Sequence, residues 1–181
     1  MLFTIALFVL NACNRGRSVE AAREDRPPSV TAAEQDFMKK ATEANLSEIN
    51  VARLAVQKSD NTDVRDYANM IQKDHTGALE DLTDLMKDKN VPEPKTLAAD
   101  TQQDVTRMNA LTGPEFDREF INKMVADHQK AVEMFRDEAA SAMNPDVKKY
   151  VENVLPKLEM HLDKAQRLQS TLFSAASKTR R

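Results

Sequence analysis

Apolar residues recur every three or four positions along four long stretches of this chain, which is the spacing of an amphipathic α-helix. The pattern predicts four long helices, from about Thr31 to Ser59, Thr62 to Asp88, Pro114 to Ala142 and Pro145 to Ser174. Segments rich in Pro, Gly, Asn and Asp separate them, because these residues favour turns or cannot continue a helix. A shorter helix, from about Thr96 to Thr112, is predicted between the second and third long helices. The chain is therefore predicted to be all-α.

A weak internal repeat indicates that the long helices form two hairpins. NTDVRDY at 61–67 is similar to NPDVKKY at 144–150, and each segment opens the second helix of a pair. The linker between the hairpins, about 91–113, is long enough to run along a helix of about 27 residues, roughly 40 Å. Two hairpins joined by a long crossover make the topology of ferritin-like bundles. We therefore predict a ferritin-like four-helix bundle over 31–174, followed by a basic tail at 175–181.

The three histidines of the chain all fall on apolar stripes, where leucine is the usual residue. His75 lies on the second long helix, His128 on the third and His161 on the fourth. Pro156 stands before His161 and cannot donate a backbone hydrogen bond, so the fourth helix is expected to kink there. The stripes thus combine core positions with side chains that bind protons and metals.

Distances counted along the helices place the histidines at one level of the bundle. His75 and Glu48 are both roughly 20 Å from the first hairpin turn, at about 1.5 Å per residue. His128 and His161 are both roughly 25 Å from the second turn by the same count. If the crossover runs lengthwise, the two turns lie at opposite ends of a bundle roughly 40–45 Å long. All four side chains then meet near its middle.

Three imidazoles and one carboxylate are a donor set for a first-row transition metal such as Zn, Fe or Cu. A metal-free core is the alternative, because a buried histidine usually has a hydrogen-bond partner and Glu48 could supply it. The Glu-x-x-His pairs of di-iron ferritin centres are absent, which disfavours an oxidase of that type. Asp74 and Asp127 each precede a histidine, and we interpret them as solvated neighbours rather than as groups that orient the ligands.

Composition and motifs exclude several classes of function. The net charge of −3 and the lack of a basic stripe give no reason to expect nucleic-acid binding. The sequence contains no P-loop, dinucleotide fingerprint or nucleophile elbow, so an enzymatic role is not expected. A single cysteine, Cys13, means that no intrachain disulfide can form.

The first thirteen residues, MLFTIALFVLNAC, are typical of a secretory signal. The apolar run is too short to span a bilayer, and Leu10-Asn11-Ala12-Cys13 resembles a bacterial lipobox, whose cysteine carries lipid. Residues 14–30 are polar and include Pro27-Pro28, which predicts a disordered tether. We expect a periplasmic lipoprotein anchored to the outer membrane through Cys13, with a secreted soluble protein as the alternative. A homo-oligomer through helix faces is a further expectation.

Longer segments of the chain resemble a known bacterial family. FMKKATEANLSEINVARLAVQKSDNTDVRDYANMIQKDHTGALEDL, FDREFINKMVADHQKAVEMF and VLPKLEMHL are similar to a ferritin-like domain of unknown function found in secreted proteins and lipoproteins, often labelled outer membrane proteins. The match covers about Glu34 to Leu168. It implies a ferritin-like bundle and no established reaction. FINKMVADHQKAVEM also resembles a related extracytoplasmic metal-associated family, but Asp127-His128 stands where that family has paired histidines, which argues against copper.

The leading interpretation is an extracytoplasmic, lipid-anchored bundle that binds one transition metal through Glu48, His75, His128 and His161, with a role in envelope metal handling or stress. A metal-free structural or interaction bundle of the cell envelope is the main rival. An oxidoreductase that uses the metal is the third alternative.

Overall fold

The computed structural model describes residues 29–94 and 99–179, and the side chains of residues 29–94 and 102–174. Within these residues the chain forms helices only, and they are α1 (Ala32–Lys58), α2 (Thr62–Asp88), α3 (Ala99–Asn109), α4 (Gly113–Ser141) and α5 (Pro145–Thr179). The predicted all-α class is confirmed. The predicted signal segment, the lipobox cysteine and nearly all of the tether lie outside the described residues.

The helix ends follow local capping chemistry. The Thr31 side chain accepts a hydrogen bond from the Glu34 backbone, and the Glu34 side chain accepts one from the Thr31 backbone, which makes a capping box. Asn61 caps α2 in a related way, by accepting from the backbone of Asp63 and Val64. These caps explain why α1 and α2 begin where the sequence predicts.

The last helix is longer than predicted. It continues through Pro156 and ends at Thr179 rather than near Ser174, so the segment predicted as a tail begins as helix. The apolar stripe ends at Leu172. The residues after it do not continue the helical spacing of apolar positions, so the sequence carries no signal for the last turn.

The four long helices stand at the corners of a bundle. Helix α1 packs against α2 and α4, and α5 packs against the same two helices. The short helix α3 contacts α1 and α4, so it lies on the face between them. The crossover therefore covers one side of the bundle, next to the groove between α1 and α4.

The two hairpin turns lie at opposite ends of this bundle. Glu34, at the start of α1, accepts hydrogen bonds from the backbone N–H groups of Met143 and Asn144 in the second turn. Lys58, at the end of α1, reaches the carbonyl of Asn109 and lies over the ring of Phe116 at the start of α4. Helix α1 is therefore antiparallel to α4, and the crossover runs the length of the bundle.

The apolar core is divided into two clusters. One lies near the second turn and includes Phe37, Leu82, Phe135 and Val151. The other lies near the first turn and includes Ala52, Ile71, Phe120 and Ala165. On every long helix a buried polar residue stands between the two clusters, and these four residues are Glu48, His75, His128 and His161. The polar layer thus crosses the middle of the bundle. Among the described residues, no helix carries an apolar stretch long enough to cross a bilayer.

Candidate metal centre

The structure brings together all four residues that the sequence analysis selected. Exposed fractions are 2% for Glu48, 5% for His75, 0% for His128 and 1% for His161. One ring nitrogen of each histidine lies within 4.8 Å of those of the other two. Each residue comes from a different long helix, so only the folded bundle creates the cluster.

Each imidazole has its outward-facing nitrogen held by an acceptor. His75 Nδ1 is 2.9 Å from Asn45 Oδ1, and the Asn45 amide is oriented by its own donation to the carbonyl of Ala41 at 2.8 Å. His128 Nδ1 is 2.9 Å from the carbonyl oxygen of Met124. His161 Nε2 is 2.9 Å from Asp74 Oδ2. Because carbonyl and carboxylate oxygens only accept, each of these nitrogens carries the hydrogen.

When a ring is neutral, its inward-facing nitrogen is consequently a lone-pair donor. His75 Nε2 lies 2.8 Å from Glu48 Oε2, and His128 Nε2 lies 3.5 Å from the same oxygen. His128 Nε2 also lies 3.3 Å from His161 Nδ1. In the neutral rings, three nitrogen lone pairs and one carboxylate oxygen therefore face one another.

The inward-facing atoms include more hydrogen-bond acceptors than hydrogen-bond donors. Glu48 Oε2 and His75 Nε2 are buried and have no hydrogen bond of acceptable geometry, although they are close to each other. Unpaired buried polar atoms are uncommon because each costs free energy on folding. A proton shared by two of the four atoms would relieve one contact, whereas a metal cation would satisfy all four.

The charges of the cluster follow from its burial. Burial lowers the pKa of His161 to about 4, and the nearby His75 and His128 lower it further, although hydrogen bonding to Asp74 opposes this. Burial alone would raise the pKa of the Glu48 carboxyl, but the positive charge that His75, His128 and His161 carry when protonated lowers the pKa to about 2. At neutral pH the cluster therefore offers an ionised carboxylate and a neutral His161 ring.

Two features of the site were missed or misjudged from sequence. The interpretation of Asp74 as a solvated neighbour is wrong, because its carboxylate is bonded to His161 across the α2–α5 interface. Asp127 instead pairs with Lys123, at 2.9 Å. Asn45 was not identified at all, and its one sequence signal is a position three residues before Glu48 on the buried face of α1. Asp74 and Asn45 reach their histidines only where two helices pack together, and the apolar pattern of one helix does not show which residues of another helix it contacts.

Residues 19–168 match the profile of a family described as a domain of unknown function, DUF4142. The chain belongs to this family. The family expected from the sequence is thereby confirmed. The sequence matches none of the curated proteins with which it was compared.

Solved structures show the same fold at low sequence identity. A DUF305 fragment from Deinococcus radiodurans has a TM-score of 0.71 and 16% identity, over 80% of this chain and 99% of the fragment. A DUF305 protein from Streptomyces coelicolor, described as secreted, has a TM-score of 0.68 and 12% identity, over 77% of this chain and 93% of its own. CopM in a Cu(II)-bound form has a TM-score of 0.65 and 19% identity, over 76% of this chain and 96% of its own. These DUF4142 and DUF305 chains thus share a helical architecture.

Proposed function

We propose that this DUF4142 domain binds one divalent first-row transition metal through Glu48, His75, His128 and His161. The observation that carries the proposal is the convergence of three imidazoles and one carboxylate in a buried cluster, with the ring nitrogens within 4.8 Å of one another and Glu48 Oε2 2.8 Å from His75 Nε2. Three imidazole nitrogens and one carboxylate oxygen suit Zn, Fe or Cu. The fold is proposed to be of the ferritin-like kind, since a lengthwise crossover joins its two hairpins.

The residues around the ligands support this role. Asn45, the Met124 carbonyl and Asp74 each fix one imidazole in the tautomer that turns a lone pair inward. Acceptors of this type orient the histidine ligands of metal sites and raise their basicity. Burial of all four ligands keeps water from competing for them. These groups hold and desolvate an ion, and none of them is placed as a nucleophile.

The donor atoms also favour some metals over others. Imidazole and carboxylate suit divalent ions, whereas Cu(I) and Ag(I) prefer sulfur. The inward-facing group contains no sulfur atom among the described residues. Solved CopM forms are described as bound to Cu(II), Cu(I) and Ag, and for this chain we propose a divalent ion, with a role in metal handling rather than catalysis.

We also propose that the domain works outside the cytoplasm and is anchored by lipid on Cys13. The apolar segment that ends in Leu10-Asn11-Ala12-Cys13 supports this placement. The structural neighbour from Streptomyces coelicolor that is described as secreted is compatible with it.

Thermal melts of protein purified without a histidine tag test the metal proposal. Wild type, His161→Ala and Leu158→Ala are melted with Zn(II), Fe(II), Cu(II) or EDTA, and bound metal is measured by elemental analysis. We expect one equivalent in wild type. Metal at about 100 times its Kd would add about 2.7 kcal/mol, which is roughly 5–10 °C for a domain of this size.

The two variants separate ligand loss from core damage. His161→Ala should lose most of the metal-induced rise in Tm. Leu158→Ala removes a buried side chain one turn away, so it should lower Tm equally with metal and with EDTA and keep the metal-induced rise. If metal raises Tm equally in wild type and in His161→Ala, or if no metal raises Tm, the metal-free structural bundle is the better description.

A further inference from the structure

A cleft between α1 and α4 leads from the surface to Glu48. Its volume is about 390 Å³, and its wall includes Glu48, Asp104, Lys123 and Asp127. On the opposite side of the cluster, the space beside His75 and His161 is only about 10 Å³. That is about the volume needed for a single water molecule. Among the described residues, the α1–α4 cleft is thus the wider approach to the ligands.

Glu48 is the one member of the four-residue cluster that lines this cleft. Its side chain is buried, and Oε2 has no hydrogen bond of acceptable geometry. An ion that comes through the cleft therefore meets the carboxylate before it meets the imidazoles. Glu48 can take part in both the approach and the final coordination.

Asp127 stands in the wall of the same cleft, one residue before His128. Its Oδ2 is 2.9 Å from Lys123 Nζ, and the same ammonium is 2.6 Å from Asp104 Oδ2 on the crossover helix α3. Lys123 is only 12% exposed, so it bridges two carboxylates at the edge of the cleft. An incoming cation would compete with this ammonium for Asp127.

We propose that the α1–α4 cleft is the access route for the metal ion, and that Asp127 receives the ion transiently and passes it to Glu48, with Lys123 as the competing cation. This inference rests on the proposed metal site. Asp127 lies on the route and is not a ligand of the final site, since its carboxylate is bonded to Lys123 rather than to a histidine. The cleft is lined by four carboxylates, from Glu43, Glu48, Asp104 and Asp127, and by three ammonium groups, from Lys40, Lys123 and Lys130. Its net charge is negative, which raises the local concentration of cations and their association rate.

Stopped-flow measurement of Cu(II) association tests the route. The chain has two tyrosines and no tryptophan, and the Tyr67 hydroxyl donates to the His161 carbonyl at 3.3 Å, so quenching of tyrosine fluorescence reports on filling of the site. Asp127→Asn should slow association at least about threefold. The stoichiometry should stay at one, and Kd should change less than the rate. Lys123→Gln should accelerate association.

The controls distinguish this proposal from the metal site itself. Asp81→Asn removes the same charge from an exposed position on α2, and its association rate should equal that of wild type. Added salt should slow wild type more than Asp127→Asn, because salt screens attraction by the carboxylate. If wild type binds no metal, both proposals fail. If wild type binds metal but the association rates of Asp127→Asn and Asp81→Asn are equal, only the access route is wrong. The same holds if the Asp127 and Lys123 variants shift the association rate in the same direction.

Discussion

Glu34 joins the two hairpins, and its replacement by glutamine should destabilise the whole bundle. The carboxylate is buried and accepts three backbone hydrogen bonds, from Thr31 at 2.6 Å, Met143 at 2.9 Å and Asn144 at 2.7 Å. The first bond caps α1, and the other two hold its start against the turn between α4 and α5. This contact helps to set the level at which Glu48 meets the histidines of the second hairpin.

The cost of Glu34→Gln can be worked from these bonds. A glutamine has one carbonyl oxygen, so it cannot replace both carboxylate oxygens, and its amide group must face at least one backbone donor. Loss of one bond to a carboxylate costs about 1.5–3 kcal/mol, and the weaker bonds to an uncharged acceptor add roughly 0.5–1 kcal/mol. The sum is about 2–4 kcal/mol, or roughly 5–15 °C in Tm for a domain of this size.

The effect should depend on pH with a definite sign. Burial alone would raise the pKa of Glu34, but the backbone donors of Asn144, Thr31 and Met143 outweigh it and lower the pKa below the usual 4.5. A lowered pKa in the folded state means that the ionised group stabilises the protein above the unfolded-state pKa. The Tm difference between wild type and Glu34→Gln should be complete above about pH 5 and shrink as the pH falls through the pKa of the folded state.

Thermal melts from pH 3 to 7 in EDTA check this prediction, with Glu80→Gln as the control. Glu80 is exposed on α2, so its replacement should change stability by no more than about 0.5 kcal/mol. The reasoning is refuted if both variants shift Tm equally at pH 7. It is also refuted if the Glu34→Gln shift is the same at every pH.

Three further predictions concern the site and the anchor. Asp74→Ala should weaken metal binding about 10–100-fold at unchanged stoichiometry, because the His161 ring loses its orienting acceptor. Competition with a chelator of known affinity measures the Kd, and a Kd equal to that of wild type would contradict the prediction. The metal-free protein should lose stability as the pH falls from about 6.5 to 4, because His161, with its pKa lowered to about 4, must stay neutral to remain buried. Denaturant unfolding should show a weaker dependence of stability on pH for His161→Gln than for wild type. The same dependence in both proteins would exclude His161 as the cause. Cys13→Ser should move the protein from the membrane fraction to the soluble fraction, and an unchanged distribution would favour a secreted protein without lipid.

Much of the fold could be read from local signals. Helix α2 begins and ends at the residues that the sequence predicts, since Asn61 caps its start and Pro92 and Pro94 prevent its continuation. The level of the histidines could also be calculated, because a helix rises by a fixed distance per residue. Both results depend only on chain geometry and on which residues lie near one another in sequence.

The tertiary structure decided which atoms of the cluster face one another. The sequence places three histidines and Glu48 on buried stripes, but it does not tell which nitrogen of each ring points inward. That choice is made by Asn45, the Met124 carbonyl and Asp74. Two of these partners are side chains from a neighbouring long helix, and their roles appear only when the helices pack.

The cleft beside Glu48 has the same origin. It exists because α3 crosses the face between α1 and α4, where Asp104 meets Lys123. Sequence alone determined an all-helical chain with four polar residues at one level, since helical periodicity and rise are local properties. Packing between helices distant in sequence determined which ring nitrogens face Glu48 and where the cleft opens, since hydrogen-bond geometry changes over fractions of an ångström.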